Sequence, residues 1–218
     1  MERFSNISMA VIRRLPKYHR YLEELMKNDI QRVSSQELSK ITGFTASQIR
    51  QDLNCFGGFG QQGYGYNVEE LYLVISKILG LNNQYKSVII GAGNLGQALA
   101  NYGFFYENGF AIQAIFDINP KLVGMRINGI EVRDVDDLVD FINENKIAIA
   151  VICVPKNQAQ KVADTLAQTC VKGVWNFAPT DIKISDSVIV ENVHLTESLF
   201  TLYYLLKERE EGASSFAK

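Results

Sequence analysis

The residues best suited to chemistry lie in one stretch, Ser87-Val88-Ile89-Ile90-Gly91-Ala92-Gly93-Asn94-Leu95-Gly96. An apolar run enters a G-x-G-x-x-G pattern, and Gln97-Ala98-Leu99-Ala100-Asn101-Tyr102 leaves it with helical character. Such a loop brings backbone N–H groups and a helix N-terminus to a pyrophosphate. Alone the pattern is weak, because glycines serve any tight turn. Its setting strengthens it: Asp117 ends the next apolar run, 21 residues after Gly96. A carboxylate there accepts hydrogen bonds from adenosine ribose hydroxyls and repels a 2′-phosphate, which favours NAD(H) over NADP(H). A solvated strand-end carboxylate is the plainer reading of Asp117. Val154-Pro155 and Asn176-Phe177-Ala178-Pro179 end later apolar runs. Carboxyl ends of strands line the ligand crevice of doubly wound sheets.

Other reactive side chains are sparse. The two histidines, His19 and His194, sit in no recognisable acid/base constellation. A dehydrogenase needs a proton donor or acceptor beside the transferred hydride, and a place for its substrate. Only a short tail remains after the nucleotide fold. A nucleotide that is sensed fits better than one that is consumed. Cys55, Cys153 and Cys170 have no zinc spacing, and their odd number implies no disulfide framework. They read as isolated thiols in a reducing cytosol. No signal peptide stands at the start, and no apolar run approaches the ~20 residues that span a bilayer. The expectation is a cytoplasmic protein with no metal and no membrane contact.

These residues need elements to hold them. With 218 residues, 47% of them hydrophobic, the chain can bury one large core or two modest ones. Its net charge of −2 is unevenly spread. Residues 1–55 hold nine Lys and Arg against six Asp and Glu, a net +3, which leaves −5 for the rest. A mildly basic head on an acidic body is compatible with a head that faces nucleic acid.

Apolar residues at helical spacing (Ile12, Leu15, Leu22, Leu25, Met26) predict a short helix to Leu15. A second helix runs from Pro16 to near Asn28, since proline is tolerated only in a first turn. Ser34 with Glu37, flanked by Val33 and Leu38, spells a capping box and hydrophobic staple. Thr45 with Gln48, flanked by Phe44 and Ile49, repeats the device after the turn at Gly43. Two short helices so joined read as helix-turn-helix. On the second, Ala46, Ile49 and Leu53 share an inward face. Ser47, Gln48, Arg50, Gln51 and Asn54 are left outward, and Arg, Gln and Asn can bond base edges in the major groove. A solvated bundle or dimerisation module stays open on these residues alone.

Glycines and aromatics then alternate from Phe56 to Tyr66. A wing would sit here, with Gln61, Gln62, Gly63 and Tyr64 toward a phosphate strand or the minor groove; a flexible loop is the other reading. A helix from Val68 to Leu79 follows, and Gly80 to Tyr85 is the expected domain boundary.

Beyond it, apolar runs at 87–91, 111–116, 147–154, 173–177 and 188–190 predict strands, with a short one near 130–132. Segments 94–107, 134–145 and 156–168 predict helices. This alternation is an α/β doubly wound parallel sheet. The last helix, Thr196 to Glu208, carries Leu199, Phe200, Leu202, Tyr203, Tyr204, Leu205 and Leu206 on nearly every face. A helix apolar all round is buried all round. Insertion into a partner subunit and packing on its own sheet both satisfy that. Glu210 to Lys218 reads as a polar tail.

From Ile7 to Leu206 the chain resembles a family, the bacterial redox-sensing transcriptional repressors called Rex. The resemblance rests on Ser47-Gln48-Ile49-Arg50…Asp52-Leu53, on Gly57 to Tyr66, on Gly91-Ala92-Gly93-Asn94-Leu95-Gly96 and on Glu191-Asn192-Val193. It implies a winged-helix domain over residues 1–80, a Rossmann domain over 81–194 and a swapped C-terminal helix over 195–218. It further implies a homodimer through that helix, on the double-stranded DNA of palindromic operators, binding NADH or NAD⁺, with NADH disfavouring the DNA-bound form. It implies no enzyme activity. A small NAD-dependent oxidoreductase with an accessory helical domain is the alternative, and the CoA-binding subunit of an acyl-CoA ligase a third reading. The family's switch joins an arginine, a tyrosine and an aspartate. Arg20 and Tyr102 match the first two, and His194 stands at the third. The departure implies weaker separation of NADH from NAD⁺. Gln51, Gln61 and Gln62 stand where relatives often carry cations, which implies a shallower salt dependence.

Overall fold

The computed structural model describes residues 7–57, 60–61, 64–103 and 109–215. They form two compact units, Met1–Asn83 and Gln84–Lys218.

The first unit begins with α1 (Met9–Ile12) and α2 (Leu15–Lys27), the latter with proline in its first turn as the spacing requires. A strand, β1 (Arg32–Val33), leads into α3 (Ser35–Thr42), which is entered through a complete Ser34–Glu37 capping box. Gly43, at φ 75°, closes α3 in the left-handed conformation that glycine reaches without strain. The next helix, α4 (Ala46–Asn54), starts at Thr45, whose hydroxyl accepts from the Gln48 N–H at 3.2 Å. Only this forward half of the second box forms among the described bonds. Strands β2 (Gly60–Gln61) and β3 (Gly65–Asn67) make the wing, and β3 lies between β1 and β2 in an antiparallel sheet. Gly65 (φ +71°) is required there, because a Cβ would stand 2.7 Å from the Val33 carbonyl oxygen. Last comes α5 (Val68–Leu79), capped by Asn67. Leu15, Leu22, Leu38, Ile49, Leu53, Leu71 and Ile75 fill the core with 2% exposure or less. Burying each contributes roughly 1.5–3 kcal/mol.

The second unit is a seven-stranded sheet. Its strands are β4 (Tyr85–Ile90), β5 (Phe110–Asp117), β6 (Arg126–Ile127), β7 (Ile130–Asp134), β8 (Ile149–Ile152), β9 (Gly173–Asn176) and β10 (Ile189–Asn192). They lie in the order β10-β9-β8-β4-β5-β7-β6. All pairs are parallel except β6–β7, a hairpin at the edge. Chain order therefore reverses at β4, whose neighbours are β5 and β8. Such a switch point opens a crevice at the carboxyl ends of the strands. Helices α6 (Asn94–Ala100), α7 (Leu138–Asn145) and α8 (Lys156–Leu166) connect the strands. One face of the sheet (Val88, Ile90, Phe116, Ile152) packs with residues of α7 and α8, and the other (Ile89, Ile115, Val151) with Ala100.

Several boundaries depart from expectation. The helix expected over 94–107 is described as Asn94–Ala100 followed by a turn, and 104–107 lie outside the described residues. A 3₁₀ turn at Val135–Asp137, begun by the Asp134 carboxylate on the Asp136 N–H, delays α7 to Leu138. The last helix, α9 (Leu195–Ser215), runs through the segment expected to be a polar tail. Glu, Lys and Arg are strong helix formers, and Lys207 meets Glu211 one turn later at 3.6 Å. Its large apolar side chains are exposed, Phe200 by 62% and Tyr204 by 61%.

Candidate functional site

The glycine loop leaves β4 at the switch point. The three glycines answer to different needs. At Gly91 (φ +104°) a Cβ would lie 2.5 Å from the Cys153 carbonyl oxygen, so close packing on the β8 end demands glycine. At Gly96 a Cβ would meet the Gly91 carbonyl oxygen at 1.9 Å, so α6 can lie on the loop only without one. At Gly93 a Cβ would meet nothing within 4 Å. Packing among the described residues therefore does not require glycine there.

Beside Gly93 lies a pocket of about 220 Å³, lined by Gly91, Gly93, Asp117, Cys153, Val154 and Pro155 among others. Whole-ligand pockets typically span ~300–1,000 Å³. This one is smaller than that range and lies at the strand ends of the switch point. Two helices begin here without a side-chain cap, α6 at Gly93 and α8 at Pro155. First-turn N–H groups have no partner within their own helix, and that end carries the positive pole of the helix dipole. The Asp117 carboxylate lines the same pocket, so the crevice sets helix N-termini beside one acidic group.

Asp117 occupies the expected place, with bonds that the sequence does not announce. Its Oδ2 accepts from the Ala92 N–H at 2.6 Å, and its Oδ1 from the Asn119 N–H at 2.8 Å. The carboxylate is half-buried and bonded on both oxygens rather than fully solvated. The Gln97 side chain donates to the Ala92 carbonyl at 2.8 Å. Asn94 is exposed and Leu95 half-buried at the start of α6. At the end of β9, the buried Asn176 donates to Thr180 O and Asn192 Oδ1, both at 2.8 Å, and accepts from the Ala178 N–H at 3.0 Å. Pro179 is left exposed, whereas Ala178, 1% exposed, points into the core. Ala92 is likewise fully buried, so only its backbone serves the loop.

Both histidines have partners. His19, buried on α2, stacks on the Tyr72 ring at 4.4 Å and lies 3.0 Å from Ser76 Oγ. Burial lowers its pKa. His194 Nε2 lies 3.0 Å from Asp181 Oδ1, where sequence reading found no constellation. Arg20 is exposed on α2 with its guanidinium 4.9 Å from the Tyr21 ring centre. Tyr102, 56% exposed, lines a second cavity with Gly103 and Asn128. Arg20 lies on α2, Tyr102 just beyond α6, and His194 between β10 and α9. Burial pushes the Cys153 thiol up to about 12. Among the described residues no cluster fit for a metal ion occurs, and no helix is long and apolar enough to cross a membrane.

On the first unit, Ser47, Arg50, Gln51 and Asn54 are exposed along α4 and Gln48 is half-buried. Arg50 donates to Ser35 Oγ at 2.9 Å, which ties α4 to the start of α3. Tyr64, 70% exposed, is held at the wing by Arg32, which donates to its carbonyl at 3.4 Å. Gln62 and Gly63 lie outside the described residues, and only the backbone of Gln61 is described. Asp52, buried on α4, positions that helix, a role its residue type alone does not declare. It takes two bonds from Arg14 and one from the Tyr18 hydroxyl at 2.7 Å. Its spacing from Ile49, one helical turn away, was the available signal.

A capped helix-turn-helix with a wing, followed by a parallel sheet with a glycine-rich loop at its switch point, defines a ligand-gated DNA-binding regulator. Residues 6–54 match the family model described as "Putative DNA-binding protein N-terminus", and residues 82–180 match "CoA binding domain". The redox-sensing transcriptional repressor Rex of Clostridium tetani is 61% identical over 211 residues, 97% of this chain and all of that protein. RSP, a Rex-family repressor, has the same fold. Its crystal structure in complex with beta-NAD+ and operator DNA matches with a TM-score of 0.89 at 59% identity, covering 98% of this chain and 99% of that one. Its complex with beta-NADH matches equally well, at 58% identity over 96% of this chain and 99% of that one. The chain belongs to the Rex family of redox-sensing transcriptional repressors. That membership sets aside the oxidoreductase and acyl-CoA ligase readings.

Proposed function

We propose that the chain represses transcription by binding operator DNA and lets go when NADH displaces NAD⁺ in its nucleotide crevice. The observation that carries the nucleotide half is Gly93, glycine at a position where the protein itself needs none. The pyrophosphate sits over Gly91 to Gly96, against the N-terminus of α6. Asp117 reads the adenosine ribose, and Val154, Pro155, Ala178 and Pro179 border the nucleotide through backbone and ring atoms. Tyr102 and His194 stand toward the nicotinamide end, and with Arg20 they form the switch. The DNA half lies on α4 and the wing: Ser47, Gln48, Arg50, Gln51 and Asn54 read the major groove, and Gln61, Gln62, Gly63 and Tyr64 track the backbone beside it.

The exposed apolar faces of α9 support a homodimer in which each copy covers the other's helix. Two-fold symmetry then calls for a palindromic operator with half-sites on successive major grooves. NADH acts by binding one placement of the winged-helix domains more tightly than the other.

A mobility-shift assay on a palindromic operator, titrated separately with NADH, NAD⁺ and NADPH, tests the reading. Release by NADH, competition by NAD⁺ and indifference to NADPH are expected. No DNA binding under any of these conditions overturns it.

A further inference from the structure

We propose that Asp117 is a positioning residue for the glycine loop as well as the reader of the ribose, so that nucleotide choice and loop shape are one property. The inference rests on the nucleotide reading above and goes beyond it in assigning the carboxylate a task in the fold of the loop itself.

Ala92 is fully buried, and side chains take both its donor and its acceptor: Asp117 Oδ2 holds the N–H at 2.6 Å and Gln97 the carbonyl at 2.8 Å. A buried N–H that loses its acceptor has no water to turn to, and that loss is costly. A carboxylate is acceptor-only, with about four lone-pair sites on two oxygens. Ala92 and Asn119 take one on each oxygen. The two that remain suit the two vicinal hydroxyls of a ribose. Asp117 therefore joins three things at the end of β5: the loop peptide, the turn at Asn119 and the sugar.

No other side chain of this length does all three. Asparagine has one acceptor oxygen, and its NH₂ would face an N–H that needs an acceptor. Serine has a single oxygen on a shorter stem. Removing the acid to admit a 2′-phosphate therefore also releases the loop that must grip the pyrophosphate.

The test compares full-length chain with Asp117→Asn, using NADH and its analogue lacking both adenosine ribose hydroxyls. A residue that only reads the ribose makes no difference to the analogue. Here the variant is expected to bind the analogue about tenfold more weakly than the parent, the scale of one lost hydrogen bond to a charged group. Equal binding of the analogue by parent and variant overturns the proposal. A second measurement needs no ligand: the Ala92 amide proton resonance of the free protein should move upfield in Asp117→Asn, with the rest of the spectrum dispersed as in the parent. An unmoved Ala92 resonance also overturns it. Failure of the parent chain to bind NADH defeats the nucleotide reading alone, and the amide resonance then decides this one.

Discussion

Arg14 and Asp52 meet in a two-pronged bond, Nε to Oδ2 at 2.6 Å and Nη2 to Oδ1 at 2.7 Å, beneath the exposed face of α4. Asp52 is 2% exposed, and the Tyr18 hydroxyl donates to the same carboxylate. The bond to Asp52 raises the Arg14 pKa, and burial raises that of Tyr18, so neither the guanidinium nor the phenol loses its proton near neutrality. Removing one partner of a buried pair costs about 3–5 kcal/mol, because the other stays behind uncompensated. Asp52→Ala should lose about 3 kcal/mol, the low end, since Arg14 keeps partial access to water. Urea denaturation measures it; a loss within experimental error would show that the pair contributes nothing net.

The glycine loop separates folding from binding. Gly96→Ala drives a Cβ into the Gly91 carbonyl and should destabilise the chain by about 2 kcal/mol or more. Gly93→Ala meets no protein atom and should leave the melting temperature in place while weakening NADH at least tenfold. Calorimetry of both variants with and without NADH checks the pair. An unchanged NADH affinity in Gly93→Ala would remove the reason for glycine there.

Acid should loosen the first unit through His19. Burial lowers its folded pKa below the unfolded value of about 6.5. The unfolded chain therefore binds the proton more readily. The contribution is fully present above about pH 6.5 and is lost as pH falls below it. His19→Leu should flatten the fall in stability between about pH 7.5 and 5.5, followed by denaturant titration at each pH. An identical slope in the variant would assign the acid sensitivity to other groups.

The three thiols should differ in reactivity. Burial pushes the Cys153 thiol up to about 12, which leaves almost no thiolate at pH 8. Cys55 and Cys170 are exposed. Iodoacetamide should label these two first, as peptide mass mapping would record. Labelling of Cys153 ahead of both contradicts the burial argument.

Ser87 stands at the point where β4 shifts register against β5, and its hydroxyl is the one buried side-chain oxygen without a partner among the described residues. Ser87→Ala deletes an unsatisfied group at little cost in volume. Stability should hold or rise by up to about 1 kcal/mol. A loss of more than that would reveal a bond to ordered water.

Local features were legible before the fold was known. The glycine loop, the Ser34–Glu37 box and the Gly43 stop depend on residues within a few positions of each other. Strand and helix alternation carried the sheet, because apolar runs and amphipathic periods survive in sequence. Contacts between distant segments left no trace. Nothing in the neighbourhood of His194 announces Asp181, and nothing near Asp117 says that its acceptors serve Ala92. Asp52 turns inward to Arg14, a partner too far away in sequence for local spacing to announce. α9 continues through Glu210 because Lys and Glu at helical spacing support a helix where their charge alone suggests a tail.

The exposed apolar faces of α9 bear on gene dosage. If the competent species holds two copies, each shielding the other's helix, its amount at low expression grows as the square of chain concentration. Halving the supply of chain then leaves a quarter of the repressor. A cell near that limit would lose control of its targets steeply, before any change in its nucleotide pool.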